Sequence, residues 1–381
     1  MEFLNSNHDN QSWNNLPSQC SSNNTEFLRN ATDQEIIGPW LRTYRDQMIV
    51  FLIFPAIIAF GVATNSLFLI TLARVKSMRT VTNYYLAHLS CCDIAFILLT
   101  AGENLYDNAY SPIKGYIFYK TPVTCALVTF LQHVTLFSSI TLVTLVSFER
   151  FMAICYPVKH RLFGGMKHTK VVVMGCWLWS SILGVISTPL VGAVRTYCVL
   201  WPDRDLYHSL PLVIHRCEAI LPFFRSFTRG LRLCYFILAV ISNTIMYYRI
   251  IAKLNNRIQP LNQPTSGTRE IAVDRVQHVR KSSNRVAAML IANGAVFFLC
   301  LAPYRVIEVY VLMAERGNVG HLSWIDPLAV IGLWTWCINS MVNPIIYGLA
   351  NPRYRRSFWK VLKCSSTVEI DNTDMTQATN S

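Results

Sequence analysis

At two places in this 381-residue chain, charged side chains lie within apolar stretches, where they are candidates for a functional role. Asp93 stands inside a run of apolar residues, and Glu149 is followed at once by Arg150 near the end of another run. A buried carboxylate is costly and is therefore a candidate functional group, while a guanidinium beside an acid can exchange one partner for another. The plain alternatives are a protonated Asp93 satisfied by neighbouring amides and an Arg150 whose charged end reaches water along its apolar stem.

A second group of polar side chains is distributed over three apolar runs and could form one binding site. Arg305 and Glu308 are three residues apart, so on a helix they lie about one turn apart on neighbouring faces. The alternative for such groups is an internal salt bridge, for example between Glu103 and Arg305, and for His133 it is an ordinary buried histidine. The candidate binding residues are Glu103, Gln132, His133, Tyr304, Arg305 and Glu308.

The composition indicates which class of protein must position these residues. Hydrophobic residues make up 52% of the chain and charged residues 14%, with a mean hydropathy of +0.31. A typical soluble domain is about 25% charged. This balance excludes a disordered chain and argues against a soluble cytosolic protein, so a membrane protein is expected. The sequence has no phosphate-binding loop, metal-spaced cysteine and histidine cluster or nucleophile elbow, so we do not expect an enzyme.

Seven apolar runs are each long enough to cross a bilayer as a helix, which takes about 20 residues. They predict an all-α membrane protein, a seven-transmembrane helix bundle, with the polar groups pointing inward. The runs, called spans one to seven, are 48–73, 82–109, 122–155, 170–192, 230–254, 286–314 and 324–349. The expected organisation is a glycosylated extracellular tail (1–47), the bundle (48–349), an amphipathic helix (350–364) and a disordered cytoplasmic tail (365–381).

The basic residues gather in the connectors of one side, and this bias predicts the orientation. The formal net charge is +13, yet residues 1–47 hold six acidic and only three basic residues. The charge therefore marks a cytoplasmic face, and no nucleic-acid partner is expected. We expect a multi-pass plasma-membrane protein with an extracellular N-terminus. Glycosylation sequons at Asn10, Asn23 and Asn30 agree with this orientation.

Each span carries one recognisable motif, and in their order these motifs resemble those of class A (rhodopsin-like) G-protein-coupled receptors along residues 48–364. The motif residues are Asn65, Asp93, Cys125, Glu149-Arg150-Phe151, Trp177, Tyr247, the segment from Phe297 to Pro303, and Asn343-Pro344-Ile345-Ile346-Tyr347. The sequence Pro303-Tyr304-Arg305 is similar to the thyrotropin-releasing-hormone receptor branch of the family. A peptide-receptor branch is therefore indicated.

The resemblance implies roles for these residues. Asp93 with Ser139, Asn339 and Ser340 corresponds to the family's sodium site, and oxygen ligands suit such a hard cation. No other cofactor is expected. The resemblance implies that Glu149 holds Arg150 at rest and that activation releases Arg150 to meet the G protein. The residues implied in coupling and switching are Glu149, Arg150, Tyr247, Phe297, Pro303, Asn343, Pro344 and Tyr347.

Two positions depart from the family pattern. Leu301 stands where the family usually has a tryptophan in span six, and Ala239 where it usually has a proline in span five. They keep open an alternative function, a receptor-like membrane protein without G-protein coupling that is a scavenger or is constitutively biased. A transporter or channel is disfavoured because the sequence has no internal repeat with matching broken helices.

Cys125 resembles the family's cysteine that is bonded to the second outer loop, and that loop offers two partners. Cys198, close to a Trp-Pro pair typical of several peptide receptors, is the expected partner, and Cys217, nearer span five, is the alternative. If Cys198 is used, Cys217 would bond to Cys20 or stay free. Cys364, at the end of the amphipathic helix, is a palmitoylation candidate.

Two residues that other branches of the family use to bind their ligands are absent from this sequence, and their absence restricts the class of ligand. No lysine lies between 317 and 359, which excludes a retinal pigment, and Gln132 occupies the position where amine receptors carry aspartate. We expect a short extracellular peptide, amidated or not, with Arg305 meeting a carbonyl or acid and Glu103 or Glu308 meeting a cation. The chain would then promote nucleotide exchange on a heterotrimeric G protein. The releasing-hormone resemblance favours the Gq type, with arrestin and membrane lipid as further partners.

Overall fold

The structure, a computed structural model, describes residues 25–27, 36–37, 40–114, 121–163, 165–188, 193–205, 207–218, 222–256, 267–314 and 325–363. The predictions at Asn10, Asn23, Asn30, Cys364 and 365–381 lie outside these residues. The chain divides into two compact units. The loop unit comprises Met1–Pro55, Gly102–Leu131 and Val185–Thr228, and the core unit comprises Ala56–Ala101, Gln132–Gly184 and Arg229–Ser381.

Every predicted span is a helix. Spans one to four are Tyr44–Arg74, Val81–Tyr110, Pro122–Cys155 and Met166–Ser187, and spans five to seven are Pro222–Asn256, Gly267–Ala314 and Ile325–Ala350. Six of these, all but the last, are long and apolar enough to cross a membrane. Span seven has 26 residues, which at 1.5 Å per residue also exceeds the roughly 30 Å of a bilayer core. The all-α, seven-span prediction is confirmed.

Spans five and six begin well before the predicted positions, at Pro222 and Gly267. The prediction followed apolar runs, and both helices start in stretches rich in charged residues that hydropathy does not count. Arginine, lysine and glutamate have helix propensities close to that of leucine, so such stretches can be helical too. Span four ends at Ser187, earlier than predicted, because Pro189 follows and the residue before a proline disfavours the helical conformation.

Prolines lie inside three of the spans, at Pro55 in span one, Pro303 in span six and Pro344 in span seven, and span one compensates for the missing donor at Pro344. Pro344 lies inside span seven and has no N–H to offer the carbonyl of Ser340, four residues earlier. The side-chain amide of Asn65 donates to that carbonyl at 2.8 Å, and the hydroxyl of Thr64 donates to the next carbonyl, that of Met341, at 3.1 Å. Span one therefore supplies the donor that the proline lacks.

The core unit is held by one large apolar cluster drawn from most of its helices. Among its fully buried members are Leu86 of span two, Ile140 of span three, Phe297 of span six and Tyr347 of span seven. Leu301 and Ala239, the two departures from the family pattern, are also buried members of this cluster. Both positions therefore contribute to the packing of the core unit.

The loop unit contains a three-stranded sheet in the order β1-β2-β3, made of β1 (Thr25–Phe27), β2 (Ala193–Leu200) and β3 (Val213–Glu218). β1, from the N-terminal tail, pairs in parallel with β2, and β2 pairs antiparallel with β3. Trp40, Trp201 and Tyr207 belong to an apolar cluster of this unit. The Arg216 guanidinium lies 5.0 Å from the Trp40 ring. The tail and the second outer loop are thus parts of one small folded unit.

The disulfide prediction for Cys125 is corrected by the structure. Cys125 is bonded to Cys217, the alternative, and not to Cys198; the Cα atoms of the bonded pair are 6.0 Å apart. Cys217 is on β3, next to the residue where the strand ends, whereas Cys198 is on β2 opposite β1. Cys198 is also disulfide-bonded, but not to Cys125 or Cys217. The Trp-Pro pattern was therefore a misleading signal.

The amphipathic helix runs from Pro352 to Leu362 directly after span seven. Asn351 caps it, since its side chain accepts from the backbone N–H of Arg353, and Pro352 fills the first helical position, where no N–H is needed. Tyr354 stacks on Phe68 at 6.3 Å and its hydroxyl contacts the Asn83 side chain. Burial raises the pKa of the Tyr354 phenol to about 12, so it stays neutral at physiological pH.

Candidate functional site

Three charged side chains meet in the core unit between spans five and six. The carboxylate of Glu308 forms ion pairs with two arginines: its Oε1 lies 2.7 Å from Nη2 of Arg232, and its Oε2 contacts Nη1 of Arg305. Arg305 is 3% exposed and Glu308 is 4% exposed, so water does not compensate these charges. Two guanidinium groups thus share a single buried carboxylate.

His133 of span three extends this cluster. Its Nε2 lies 3.2 Å from Nη1 of Arg232. Because arginine can only donate, Nε2 must accept, which leaves the proton on Nδ1 and the imidazole uncharged. The cluster of Arg232, Glu308, Arg305 and His133, called here the arginine cluster, therefore carries one net positive charge.

Aromatic rings surround the Arg305 guanidinium. Its carbon lies 5.6 Å from the ring centroids of Phe236 and Tyr304 and 5.5 Å from that of Trp336. Such contacts stabilise a cation electrostatically, and more strongly when water is excluded. Within the described part of the chain, Nε and Nη2 of Arg305 have no hydrogen-bond partner. Arg305 is thus positioned by its surroundings and keeps two buried donors unused.

The structure brings together four of the six predicted binding residues: His133, Tyr304, Arg305 and Glu308. Gln132 lies beside His133 in span three and is half-buried. Glu103 is also half-buried but belongs to the loop unit. The pairing of Arg305 with Glu308 is the internal salt bridge considered from the sequence, although formed with a different acid from Glu103.

Arg232 was not predicted. It stands near the start of span five, where several arginines precede it, and the sequence does not distinguish it from a residue at the membrane boundary. A usable signal was available, because Arg232 is followed only by uncharged residues as far as Tyr248. An arginine at that depth in a helix requires a partner.

The predicted sodium residues also occupy one region of the core unit. Asp93 is 1% exposed, and its Oδ2 accepts from the side-chain amide of Asn343 at 2.7 Å. Ser139 and Ser340 are also buried in the core unit. The Oδ1 atom of Asn339 is buried and finds no hydrogen-bond partner among the described residues. A carboxylate oxygen and an unused amide oxygen are ligand types that suit a hard cation.

At the other end of the core unit, Glu149 holds Arg150. The Nε of Arg150 is 2.5 Å from Oε2 of Glu149 and its Nη2 is 3.0 Å from Oε1, which is a two-point contact. The hydroxyl of Thr82 contacts both side chains, donating to Glu149 at 3.3 Å. His160, in the short helix Pro157–Phe163 that follows span three, places its Nε2 at 3.2 Å from Oε1 of Glu149. Thr82 and His160 were not predicted.

Tyr247 and Tyr347, the predicted switch tyrosines, have different surroundings. The hydroxyl of Tyr247 bonds to the Ser147 hydroxyl at 2.7 Å and lies against Gly294 of span six, where a side chain would overlap it. The Tyr347 hydroxyl is buried without a partner in the residues described. The Phe297 ring packs edge-on against Phe298 at 5.3 Å. Ser147 and Gly294 are thus further residues that define the position of Tyr247.

Comparison with known proteins agrees with this architecture. The family model of the 7 transmembrane receptor (rhodopsin family) matches residues 64–347. The chain belongs to the rhodopsin family of seven-transmembrane receptors. The match includes spans two to six completely, the last third of span one and span seven as far as Tyr347. It also includes the Asp93 region, the Glu149-Arg150 pair and the arginine cluster.

Individual members of the rhodopsin family are similar to this receptor at modest identity. G-protein coupled receptor 54 of Oreochromis niloticus is 25% identical over 347 residues, which is 89% of this chain and 85% of the relative. The thyrotropin-releasing hormone receptor of Ovis aries is 24% identical over 341 residues, with 84% and 79% covered. The KiSS-1 receptor of Homo sapiens is 24% identical over 343 residues, with 88% and 79% covered. The resemblance to the class A family is confirmed.

Proposed function

We propose that this receptor binds an extracellular peptide and promotes nucleotide exchange on a heterotrimeric G protein. The observation that carries the proposal is the arginine cluster, a buried site with net positive charge and unused donors in a chain whose relatives include receptors named for peptide hormones. A buried uncompensated cation is unfavourable unless a ligand or another group completes it. A peptide supplies carbonyl and carboxylate oxygens that match these donors.

Arg305 is the proposed contact for a carbonyl or acidic group of the peptide. Glu308 is better suited to positioning Arg305 and Arg232 than to meeting a ligand cation, because two arginines already share its carboxylate. Glu103 and Gln132 remain proposed contacts for the ligand. His133 is proposed to orient Arg232, since an imidazole nitrogen that accepts from one Nη fixes the guanidinium plane.

Coupling is proposed to proceed through release of Arg150 from Glu149. The two-point contact of these residues, supported by Thr82 and His160, is the arrangement that the family resemblance assigns to the resting state. A ligand can drive the release only if it binds the active state more tightly than the resting state. Tyr247, Phe297, Pro303, Asn343, Pro344 and Tyr347 are proposed to take part in the same transition.

The remaining parts of the proposal concern the membrane location, the sodium ion, the protein partners and the covalent modifications. The receptor is proposed to lie in the plasma membrane with its N-terminus outside, because the basic connectors all lie on one side. Sodium is proposed to bind at Asp93, Ser139, Asn339 and Ser340, where it would neutralise the carboxylate. A Gq-type G protein and arrestin are proposed partners, and glycans on Asn10, Asn23 and Asn30 and palmitate on Cys364 are proposed modifications.

The test is a G-protein dissociation screen in cells that express the full chain, against a library of amidated and free-acid peptides. A peptide response that disappears in Arg150→Ala and persists in the control Arg161→Ala, an exposed arginine of the same side, supports the proposal. Surface expression of all variants is measured in parallel. A well-expressed receptor that is silent with every G-protein family favours the uncoupled alternative, and Leu301→Trp and Ala239→Pro are then the first substitutions to try.

The ligand contact is tested separately once a responding peptide is found. Arg305→Ala should weaken its potency by about 2 kcal/mol, the effect of losing a charged hydrogen bond in a dry site. Arg161→Ala again serves as the control. Unchanged potency in Arg305→Ala would assign Arg305 to internal stabilisation alone.

A further inference from the structure

One edge of the Arg305 guanidinium has no hydrogen-bond partner among the described residues. Nη1 of Arg305 contacts Glu308, whereas Nε and Nη2 are buried and unused. The N–H of Nε and one N–H of Nη2 are parallel and lie side by side in the guanidinium plane. A carboxylate accepts from both at once, because the spacing of its two oxygens matches that of the two donors. An amide presents only one oxygen to this edge and cannot form two parallel bonds.

Arg232 adds a further donor to the arginine cluster. Its Nε is buried and has no hydrogen-bond partner within the part of the chain that the structure describes. Its Nη2 lies 2.7 Å from Oε1 of Glu308, but this contact is an ion pair in which Oε1 accepts no hydrogen bond. The contact is therefore poorly directed, and a ligand oxygen with better alignment would compete for Arg232.

The charge of the arginine cluster determines the charge of the group that would complete it. Two guanidinium groups share one carboxylate and His133 is neutral, so one positive charge is uncompensated among these four residues. A buried charge without a counter-charge is costly. A ligand carboxylate supplies one negative charge and compensates it, whereas an amide supplies none and a phosphate supplies about 1.5 to 2.

The surroundings of Arg305 exclude water from its unused edge. Arg305 is 3% exposed, and the ring centroids of Phe236, Tyr304 and Trp336 lie 5.5–5.6 Å from its guanidinium carbon. A hydrogen bond is electrostatically stronger in such a site than in water. The rings also offer an apolar surface to the ligand residue that carries the carboxylate.

We propose that the ligand of this receptor is anchored by a carboxylate bound side-on to Nε and Nη2 of Arg305, and not by a C-terminal amide or a phosphate. The carboxylate is the free C-terminus of the peptide or an acidic side chain, two sources with the same chemistry. Two independent observations support this choice, the unused two-donor edge and the single uncompensated charge. The inference rests on the proposed function as far as the ligand is a peptide, whereas the carboxylate site can be measured without signalling.

The first test compares matched ligands in the G-protein dissociation screen. Each responding peptide is resynthesised with its C-terminal acid converted to the amide and, separately, with each acidic side chain converted to the corresponding amide. We expect one of these changes to lower potency at least about tenfold, because it removes charged hydrogen bonds in a dry site. The change that does so identifies the source of the carboxylate. A response that survives every neutralisation, or that requires a phosphate, overturns the inference and leaves the proposed function intact.

A receptor variant tests whether Arg305 is the residue that holds the carboxylate. Arg305→Lys keeps the positive charge but replaces the two-donor edge by a point charge, so the potency difference between acid and neutral ligand should shrink to about threefold or less. The matched control is Arg229→Lys, the same change about one turn before Arg232 in span five and outside the arginine cluster. The full difference should persist in this control. Equal shrinkage in both variants, or none in Arg305→Lys, overturns the assignment to Arg305.

The second test needs neither signalling nor a responding peptide. The purified full chain is heated with N-acetylphenylalanine, a small carboxylate with an aromatic ring, or with its neutral amide, and sodium chloride equalises the sodium concentration. The acid should raise the midpoint of thermal unfolding more than the amide does, and this difference should disappear in Arg305→Lys. Equal midpoints in the unchanged receptor overturn the carboxylate site. An acid-specific rise in a receptor that no peptide activates would support the site and refute only the proposed function.

Discussion

Replacing Gly294 by alanine should raise the basal activity of this receptor. A Cβ atom at position 294 would overlap the Tyr247 hydroxyl and would lie 2.9 Å from Cζ and 3.1 Å from Cε2 of that ring. Carbon atoms do not approach so closely, so the ring must move and lose its 2.7 Å bond to Ser147. The resting arrangement of Tyr247 is therefore the state that Gly294→Ala penalises.

The magnitude follows from two contributions. Loss of the hydrogen bond between Tyr247 and Ser147 costs about 1 kcal/mol, and inserting a methyl group into a packed site costs about 1–3 kcal/mol. Alanine has a higher helix propensity than glycine, but this stabilises the resting and active states equally as long as span six stays helical, so it does not change the balance between them. The two contributions add up to about 2–4 kcal/mol, and the lower end, about 2 kcal/mol, already corresponds to about a 30-fold rise in the ratio of active to resting receptor.

The assay is agonist-free nucleotide exchange on a G protein in membranes that contain equal amounts of receptor. The control is Gly175→Ala, because nothing lies within 4 Å of a Cβ added at that position of span four. In a Tyr247→Phe background the overlapping hydroxyl is absent, so the effect of Gly294→Ala should shrink. Basal exchange equal to that of Gly175→Ala would refute the reasoning.

Three further predictions concern the other sites. Glu308→Gln leaves the guanidinium groups of Arg232 and Arg305 without a carboxylate and should destabilise the receptor by about 3–5 kcal/mol, measured as a lower midpoint of thermal unfolding. Replacing Glu308, Arg232 and Arg305 together by apolar residues should recover much of this loss. In Asp93→Asn, adding sodium should no longer raise the unfolding temperature; an undiminished rise would remove Asp93 from the sodium site. In Cys217→Ser the thiol of Cys125 should become alkylatable in denatured protein, and in Cys198→Ser it should stay protected; the opposite pattern would restore the original pairing.

Much of the architecture follows from the sequence because it depends on local properties. An apolar run of about 20 residues must be helical in a bilayer, since every backbone group needs a partner inside its own segment. Spans one and three were therefore placed within a few residues. The beginnings of spans five and six were not, because outside the bilayer a charged stretch can be helix or loop, and hydropathy does not distinguish the two.

The candidate sites were predictable to the extent that each residue carries its own signal. Asp93 is conspicuous as a single charge in an apolar helix, and Arg305 and Glu308 as a pair of charges in another. Arg232 carries a weaker signal, the uncharged stretch that follows it, whereas Thr82 and His160 carry none, since a threonine and a histidine in a basic connector are ordinary. Their participation depends on which helices pack together, and this is not encoded at any single position.

The choice between Cys198 and Cys217 shows the same limit. Both cysteines lie in the second outer loop, and short motifs around them favoured the wrong one. The pairing depends on the register between β2 and β3, which places Cys217 opposite Val194 and Cys198 opposite Val213. A register of this kind is set by the whole hairpin.

The bond from Asn65 to the Ser340 carbonyl has a consequence for how this sequence can change over time. If Pro344 were replaced, the helix would regain its own donor, and the amide of Asn65 would be needed only for its 2.9 Å bond to the Gly61 carbonyl. If Asn65 were replaced first, the Ser340 carbonyl would be left unpaired in the bundle. We therefore expect substitutions at the two positions to be energetically coupled, although most of the chain separates them. A graft of span seven into another receptor would have to bring span one with it.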